Sequence, residues 1–291
     1  MSRFLFTTTP FVGHTRPALP VAKLLVERGH SVRWYTGAAM AASVTAVGAT
    51  FVPMSEGDQS TVGLDEFLPE RADRTGRRQA QFDFMHALAR PVRTQIADLR
   101  RILDRQPADV VVGDAGFLGG PLLQELGGPP FAAFGISVLG FPAPDLAPFG
   151  LGLEPARNAF GRARNRVLDR LMRSGFSPMT AGMNAIRAEF GLVANNRTVF
   201  EHQLSASLYL QFGAPGFEYP RPNLPGNVRF VGPPRPLPSA GWREPPWWFG
   251  VRGGGRRIVL VTQGTAARDL LGAAFCAKPT CPPDLAVSSN S

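Results

Sequence analysis

The chain has 291 residues, 44% hydrophobic and 18% charged, the balance of a soluble globular protein with a buried core rather than of a disordered one. Its formal net charge is +9, yet only Lys23 and Lys278 among its 31 basic residues are lysines; this skew, with abundant Ala, Gly and Pro, reads first as GC-rich coding and second as an adaptation to anionic substrates or membrane surfaces. The arginines are spread along the chain and give no nucleic-acid footprint, no apolar run reaches the about 18 residues that span a bilayer, no secretory signal pattern follows Met1, and the expected location is cytoplasmic.

Residues 3–9 read as a strand, 10–17 as a loop, 18–30 as a helix with its stop, and 31–36 as a second strand, which together make a βαβ unit. Such a unit sets its first loop at the carboxyl edge of a parallel sheet, where open α/β proteins bind ligands. The loop carries His14, and an imidazole suits proton transfer near neutral pH. The alternative is a solvent-exposed or structural histidine. A helix over 38–46 and a short strand over 49–53 follow, then a polar stretch, 56–78, that predicts a long surface loop.

Apolar residues at every third or fourth position from Phe82 to Leu103 predict a helix over 79–105, kinked at Pro91. The valine run within 107–114 predicts a fully buried parallel strand that ends in Gly113-Asp114, with a helix beginning over 116–123. Residues 130–135 are a further buried strand, 141–153 a Pro/Gly/Phe-rich loop, 154–189 a helix with an Arg-rich face, and 205–210 another strand. From 215 to 246 Pro and Gly crowd the chain around a short strand at 228–232. A strand then begins at Arg256 and ends in Thr262-Gln263-Gly264-Thr265, a small-residue loop of the kind that approaches phosphates. Beyond residue 273 the periodicity stops, and Cys276 and Cys281 have no neighbours that would make a metal site or a disulfide framework.

The expected fold is α/β, a Rossmann-like parallel sheet with helices on both faces. The expected division is a first domain over 1–214, an interdomain linker over 215–255, the incomplete start of a second domain over 256–272, and an irregular tail over 273–291. Adjacent strand ends of a parallel sheet lie about 5 Å apart, so His14 and Asp114 could meet at one edge. A carboxylate accepting from one imidazole nitrogen would fix the tautomer and raise the basicity of the other. Asp114 also fits a plainer role, the N-cap of the following helix.

Residues 4–36, with Gly13-His14-Thr15-Arg16-Pro17, resemble the amino terminus of the GT-B glycosyltransferases of family 1, the superfamily of UDP-sugar transferases and bacterial antibiotic and glycolipid glycosyltransferases. Residues 109–123, 227–234 and 258–265 match its pattern in the same order, and the resemblance covers about residues 1–270. It implies that His14 is the base and Asp114 its charge partner in a single inverting displacement by an acceptor hydroxyl. It implies an acceptor pocket in the amino-terminal domain; Phe11, Phe82, Met85, Phe134 and Phe141 would suit a lipophilic acceptor there, with ordinary core as the alternative for each. Thr262, Gly264 and Thr265 match the first loop of the family's donor domain, near the diphosphate of a UDP- or TDP-linked sugar, with no further cofactor and no metal.

The chain departs from the family where the second domain should carry its His/Gly-rich loop and sugar-holding residues. Resemblance ends around Leu270, and the tail reads as a frameshift or a gene-fragment boundary. The expectation is an acceptor-binding half with little transfer activity by itself; the alternative is a non-catalytic, acceptor-binding or auxiliary partner of a complete glycosyltransferase. A nicotinamide enzyme is disfavoured, since the first turn lacks Gly-x-Gly-x-x-Gly. The basic segment 157–173 reads either as an amphipathic helix resting on an anionic membrane, a peripheral contact that would help lipid acceptors enter, or as a solvated helix face.

Overall fold

The apolar runs fold as parallel strands: β1 (Arg3–Thr7), β2 (Ser31–Thr36), β3 (Thr50–Pro53), β4 (Val110–Asp114), β5 (Phe131–Gly135), β6 (Leu208–Gln211) and β7 (Val228–Phe230). In the computed structural model they form one seven-stranded sheet in the order β3-β2-β1-β4-β5-β6-β7, every neighbouring pair parallel. The structure describes residues 1–56, 58, 60, 64–198, 200–237, 243 and 244. The chain divides into two compact units, Met1–Pro236 and Leu237–Ser291. The strand expected from 256, Thr262, Gly264, Thr265, the two cysteines and the tail from 273 lie outside the described residues.

Helices cover the sheet: α1 (Val12–Thr15), α2 (Leu19–Glu27), α3 (Ala41–Ala46), α4 (Leu64–Phe67), α5 (Gly76–Asp83), α6 (Val92–Arg105), α7 (Gly119–Glu125), α8 (Ala159–Gly175) and α9 (Ser177–Glu189). Strands covered in this way are apolar on both sides. Val111 and Val112 of β4 and every residue of β5 are accordingly buried. The stop of α2 is Gly29, whose φ of 81° lets its N–H and that of His30 reach back to the carbonyls of Val26 and Leu25.

Prolines decide several boundaries that apolar periodicity leaves open. The helix expected over 79–105 is two helices, α5 and α6, joined by a π-helical turn over Phe84–Ala89. Pro91 has no N–H, and the Arg90 N–H bonds the Met85 carbonyl instead of continuing the α pattern. The helix expected over 154–189 begins only at Ala159, behind an Asn158 side chain that accepts from the Gly161 N–H, and breaks at Phe176 before Pro178. The polar stretch from 56 contains α4, a 3-10 turn over Pro69–Arg71 and the start of α5. β7 is the short strand expected at 228–232, inside the stretch read as a linker over 215–255. Its pairing with β6 places the chain to Pro236 in the first unit.

The core beneath the helices joins Leu5, Ile96, Leu99, Phe117, Leu122 and Phe131. Two buried polar arrangements pin α6 to it. The Asp98 carboxylate accepts from the Tyr35 hydroxyl (2.8 Å) and from the Ser55 N–H (3.0 Å) and hydroxyl (2.9 Å), with the Arg101 guanidinium at 2.5 Å. Burial, followed by the hydrogen bond to Asp98, holds the Tyr35 phenol well above its ordinary pKa. Arg33 donates to the carbonyls of Ile102, Gln106 and Pro107 at the carboxyl end of α6, where a cation is favoured. Asp98→Ala would strand the Tyr35 hydroxyl and the Ser55 N–H, and the expected loss is about 2–4 kcal/mol in urea denaturation. A loss below about 1 kcal/mol would show that the network is dispensable.

Candidate active site

β1 runs beside β2 on one flank and β4 on the other, so the strand order reverses direction at the β1–β4 boundary. Open α/β sheets leave a crevice at such a switch point, outside the carboxyl ends of the strands. The loop after β1 is shorter than the sequence suggests, because a helical turn starts at Val12 and carries His14 within it. The N–H groups of His14 and Thr15 both bond the Phe11 carbonyl at 3.0 Å. A buried hydroxyl cluster fixes this turn from below. Thr8 bonds Thr15 and Thr36, each at 3.0 Å, and accepts from the Trp34 indole N–H at 2.9 Å.

Asp114 ends β4 and faces this turn. Its side chain has 0% exposure, while that of His14 has 31%. One carboxylate oxygen accepts from the Thr9 N–H at 2.6 Å, and the other from the Gly116 N–H at 2.7 Å. The Thr9 hydroxyl lies 3.1 and 3.0 Å from the two oxygens. The His14 Nδ1 completes the set at 2.6 Å, the short distance of a charge-assisted bond. A carboxylate with these donors has only acceptor capacity, so Nδ1 carries the proton and Nε2 is left with a lone pair. Asp114 is not the N-cap of the next helix: Leu118 holds that position at α7.

Burial pulls the His14 pKa down, but the negative charge of Asp114 and its hydrogen bond outweigh that effect and leave it raised above 6.5. His202 shows the opposite case. It is buried beside Arg197 and Arg187, and desolvation with those cations pushes it down to about 4. One histidine is a neutral core residue, and the other is partly open and anchored to a carboxylate.

Thr9 and Gly116 belong to this site although the sequence did not single them out. A Cβ on Gly116 would sit 2.9 Å from Asp114 Oδ2, 3.0 Å from Thr9 Oγ1 and 3.1 Å from His14 Cε1, so a side chain there would part the pair. The signal was present as a glycine two residues after the aspartate and a threonine run at the end of β1.

The other expected residues are distributed. Phe11 lies beside His14, with ring centroids 5.7 Å apart. Phe134, partnered with Asp114 in the β4–β5 register, is buried and stacks on Phe212, while Phe141 is buried against Tyr209. Phe82 stacks on His86 and lies under the Arg74 guanidinium; Met85 packs on Gly182 of α9. A cleft of about 320 Å³ opens between the loop after β5 and α8, with Pro142, Leu146, Phe149, Met172, Phe176 and Phe200 in its wall. None of His14, Asp114 and Phe11 lines it.

Titrating the His14 ring by NMR should give a pKa above 6.5, and Asp114→Asn should bring it below 6.5, because burial then acts without the opposing charge. His14 is favoured in its protonated form by folding, so its stabilising contribution is complete below pH 6.5 and is lost as pH rises through the raised folded pKa. Asp114→Asn, with the folded pKa below 6.5, should reverse the sign of that slope. Gly116→Ala should also lower the His14 pKa, and an unchanged value would show that the pair tolerates the added methyl.

No protein-family model matches the chain. It is 39% identical over 272 residues to the 4′-demethylrebeccamycin synthase of Lentzea aerocolonigenes, an alignment that covers 92% of this chain and 64% of that protein. It is 30% identical over 268 residues to UDP-glucosyltransferase A1 of Starmerella bombicola, covering 89% of this chain and 57% of that protein. Among solved structures the glycosyltransferase of kitacinnamycin matches with a TM-score of 0.57 at 16% identity, over 84% of this chain and 55% of that one, a likeness of fold alone. The chain thus spans less than two thirds of the length of these curated relatives. By shared sequence the chain is a homologue of family 1 GT-B glycosyltransferases, and its seven-stranded parallel sheet matches their Rossmann-like amino-terminal half.

Proposed function

We propose that this domain binds a lipophilic hydroxyl acceptor and activates it for glycosyl transfer from a UDP- or TDP-linked hexose. The observation that carries the reading is a partly exposed imidazole whose Nδ1 is held 2.6 Å from a fully buried carboxylate at the switch point of the sheet. His14 Nε2 takes the acceptor's hydroxyl proton as the oxygen attacks the anomeric carbon. The new C–O bond forms as the bond to the nucleotide diphosphate breaks on the opposite side, inverting the centre, and the diphosphate leaves with the bonding electrons. Asp114 keeps the ring oriented and stabilises the imidazolium until its proton passes to water.

Phe11 offers an apolar wall beside the base. Phe134 and Phe141 support the acceptor side from within the core, and Phe82 and Met85 from the α5 layer. Thr262, Gly264 and Thr265 are assigned to the donor diphosphate by resemblance.

The test is turnover of UDP- and TDP-hexoses with a panel of lipophilic alcohols, assayed with the protein alone and with a separately supplied nucleotide-sugar domain. His14→Ala should lower kcat by about 10²–10⁴-fold, the usual contribution of a general base, while acceptor affinity changes little. The acid limb of kcat/KM should lie above pH 6.5, since protonated His14 cannot accept a proton, and should move down in Asp114→Asn. Wild-type turnover by His14→Ala would refute the assignment. Acceptor binding without turnover in either arm would favour an auxiliary, non-catalytic role.

A further inference from the structure

α8 faces the solvent in an unusual way. Of its seventeen residues only Asn165 is buried. Phe160, Val167 and Leu171 stand 83%, 53% and 64% exposed, and steps of seven and four residues stack them on one stripe of the helix. Phe149, Leu151 and Leu153, on the segment that leads into α8, are exposed as well. Helices that cover a core turn their apolar stripe inward; this one turns a stripe outward.

The charges beside the stripe are mostly positive; Glu154, after Leu153, is paired with Arg157 at 3.6 Å. α8 carries five arginines and a single aspartate, Asp169, which is paired with Arg173 at 2.9 Å. Helical geometry sets Arg164 along one margin of the stripe and Arg166 and Arg170 along the other. Among the described residues Arg166 and Arg170 have neither a hydrogen bond nor an ion pair, and Arg164 bonds only the Asn165 side chain and the Glu154 carbonyl. No helix of the described residues is long and apolar enough to cross a membrane. A helix of this pattern is suited to lying along an interface with its apolar stripe in the acyl boundary and its cations at the headgroups.

From this arrangement we infer that α8 docks on an anionic phospholipid surface. A second copy of the chain fits the pattern less well. A two-fold contact through this face would bring Arg164, Arg166 and Arg170 against their own counterparts, whereas a sheet of lipid phosphates complements all three. The inference stands apart from the His14 chemistry and does not depend on it.

Flotation with vesicles of phosphatidylcholine and phosphatidylglycerol in equal parts, against pure phosphatidylcholine, provides the test. The protein should float with the anionic vesicles only, and less as salt rises. Each basic residue at such a surface strengthens binding about fivefold, so Arg166→Gln with Arg170→Gln should weaken partitioning on the order of 25-fold. Phe160→Ser with Leu171→Ser should weaken it too, with the circular dichroism of both variants unchanged. Protein that stays at the bottom of the gradient, or binding indifferent to both double variants, overturns the inference. So does a concentration-dependent dimer in light scattering that Phe160→Ser with Leu171→Ser dissociates, since a second copy would then be the occupant of this face.

Discussion

A carboxylate withdrawn from water must be surrounded by donors, and Asp114 makes that requirement shape the carboxyl edge of the sheet. Removing a charge from solvent costs several kcal/mol, which only well-placed hydrogen bonds offset. Here the donors are the Thr9 N–H and hydroxyl, the Gly116 N–H and the His14 ring. They come from the end of β1, the turn after it and the turn after β4. β1 must therefore lie directly against β4, and residue 116 must lack a side chain. The same bonds that make the buried charge tolerable hold Nδ1 against Asp114 and leave Nε2 with its lone pair, the state that the proposed role of His14 requires.

The rest of the site follows from how that group is supported. The hydroxyls of Thr8, Thr15 and Thr36 and the Trp34 indole form a second, uncharged layer that fixes the helical turn of His14 to β1 and β2. On the other side of the core Asp98 ties Tyr35 and Ser55 to α6 in the same manner. Both aspartates are buried, but Asp98 is held by a phenol, a serine and a guanidinium, whereas Asp114 is paired with a partly exposed histidine. That difference separates a structural carboxylate from one able to tune a base.

Much of this was legible in the sequence because the signals were local. The valine run of β4, the Gly29 stop and the βαβ pattern each translate directly into an element. The pairing of His14 with Asp114 could be expected because parallel strands bring their carboxyl ends to one edge. The misjudged boundaries have local physical causes. Pro178 interrupts a helix that apolar periodicity alone would carry through, and the kink expected at Pro91 is a π-helical turn that separates two helices. The short strand expected at 228–232 pairs with β6 and so belongs to the first unit rather than to a linker. Thr9 and Gly116 were missed because their roles are made of backbone N–H direction and close approach, which residue type does not encode. The sequence left two readings open for 157–173, because 3.6-residue periodicity identifies an apolar face without saying whether it faces the core; the exposure of Phe160, Val167 and Leu171 shows that the stripe of α8 faces outward.

The central claim is that Asp114 fixes His14 as the Nδ1–H tautomer with an unprotonated Nε2. Nitrogen-15 NMR of the labelled imidazole, recorded above its folded pKa, reads this directly. The account predicts a pyrrole-like Nδ1 and a pyridine-like Nε2 for His14, with the two-bond couplings of a single tautomer. An Nε2–H tautomer, or rapid averaging of the two, would contradict it.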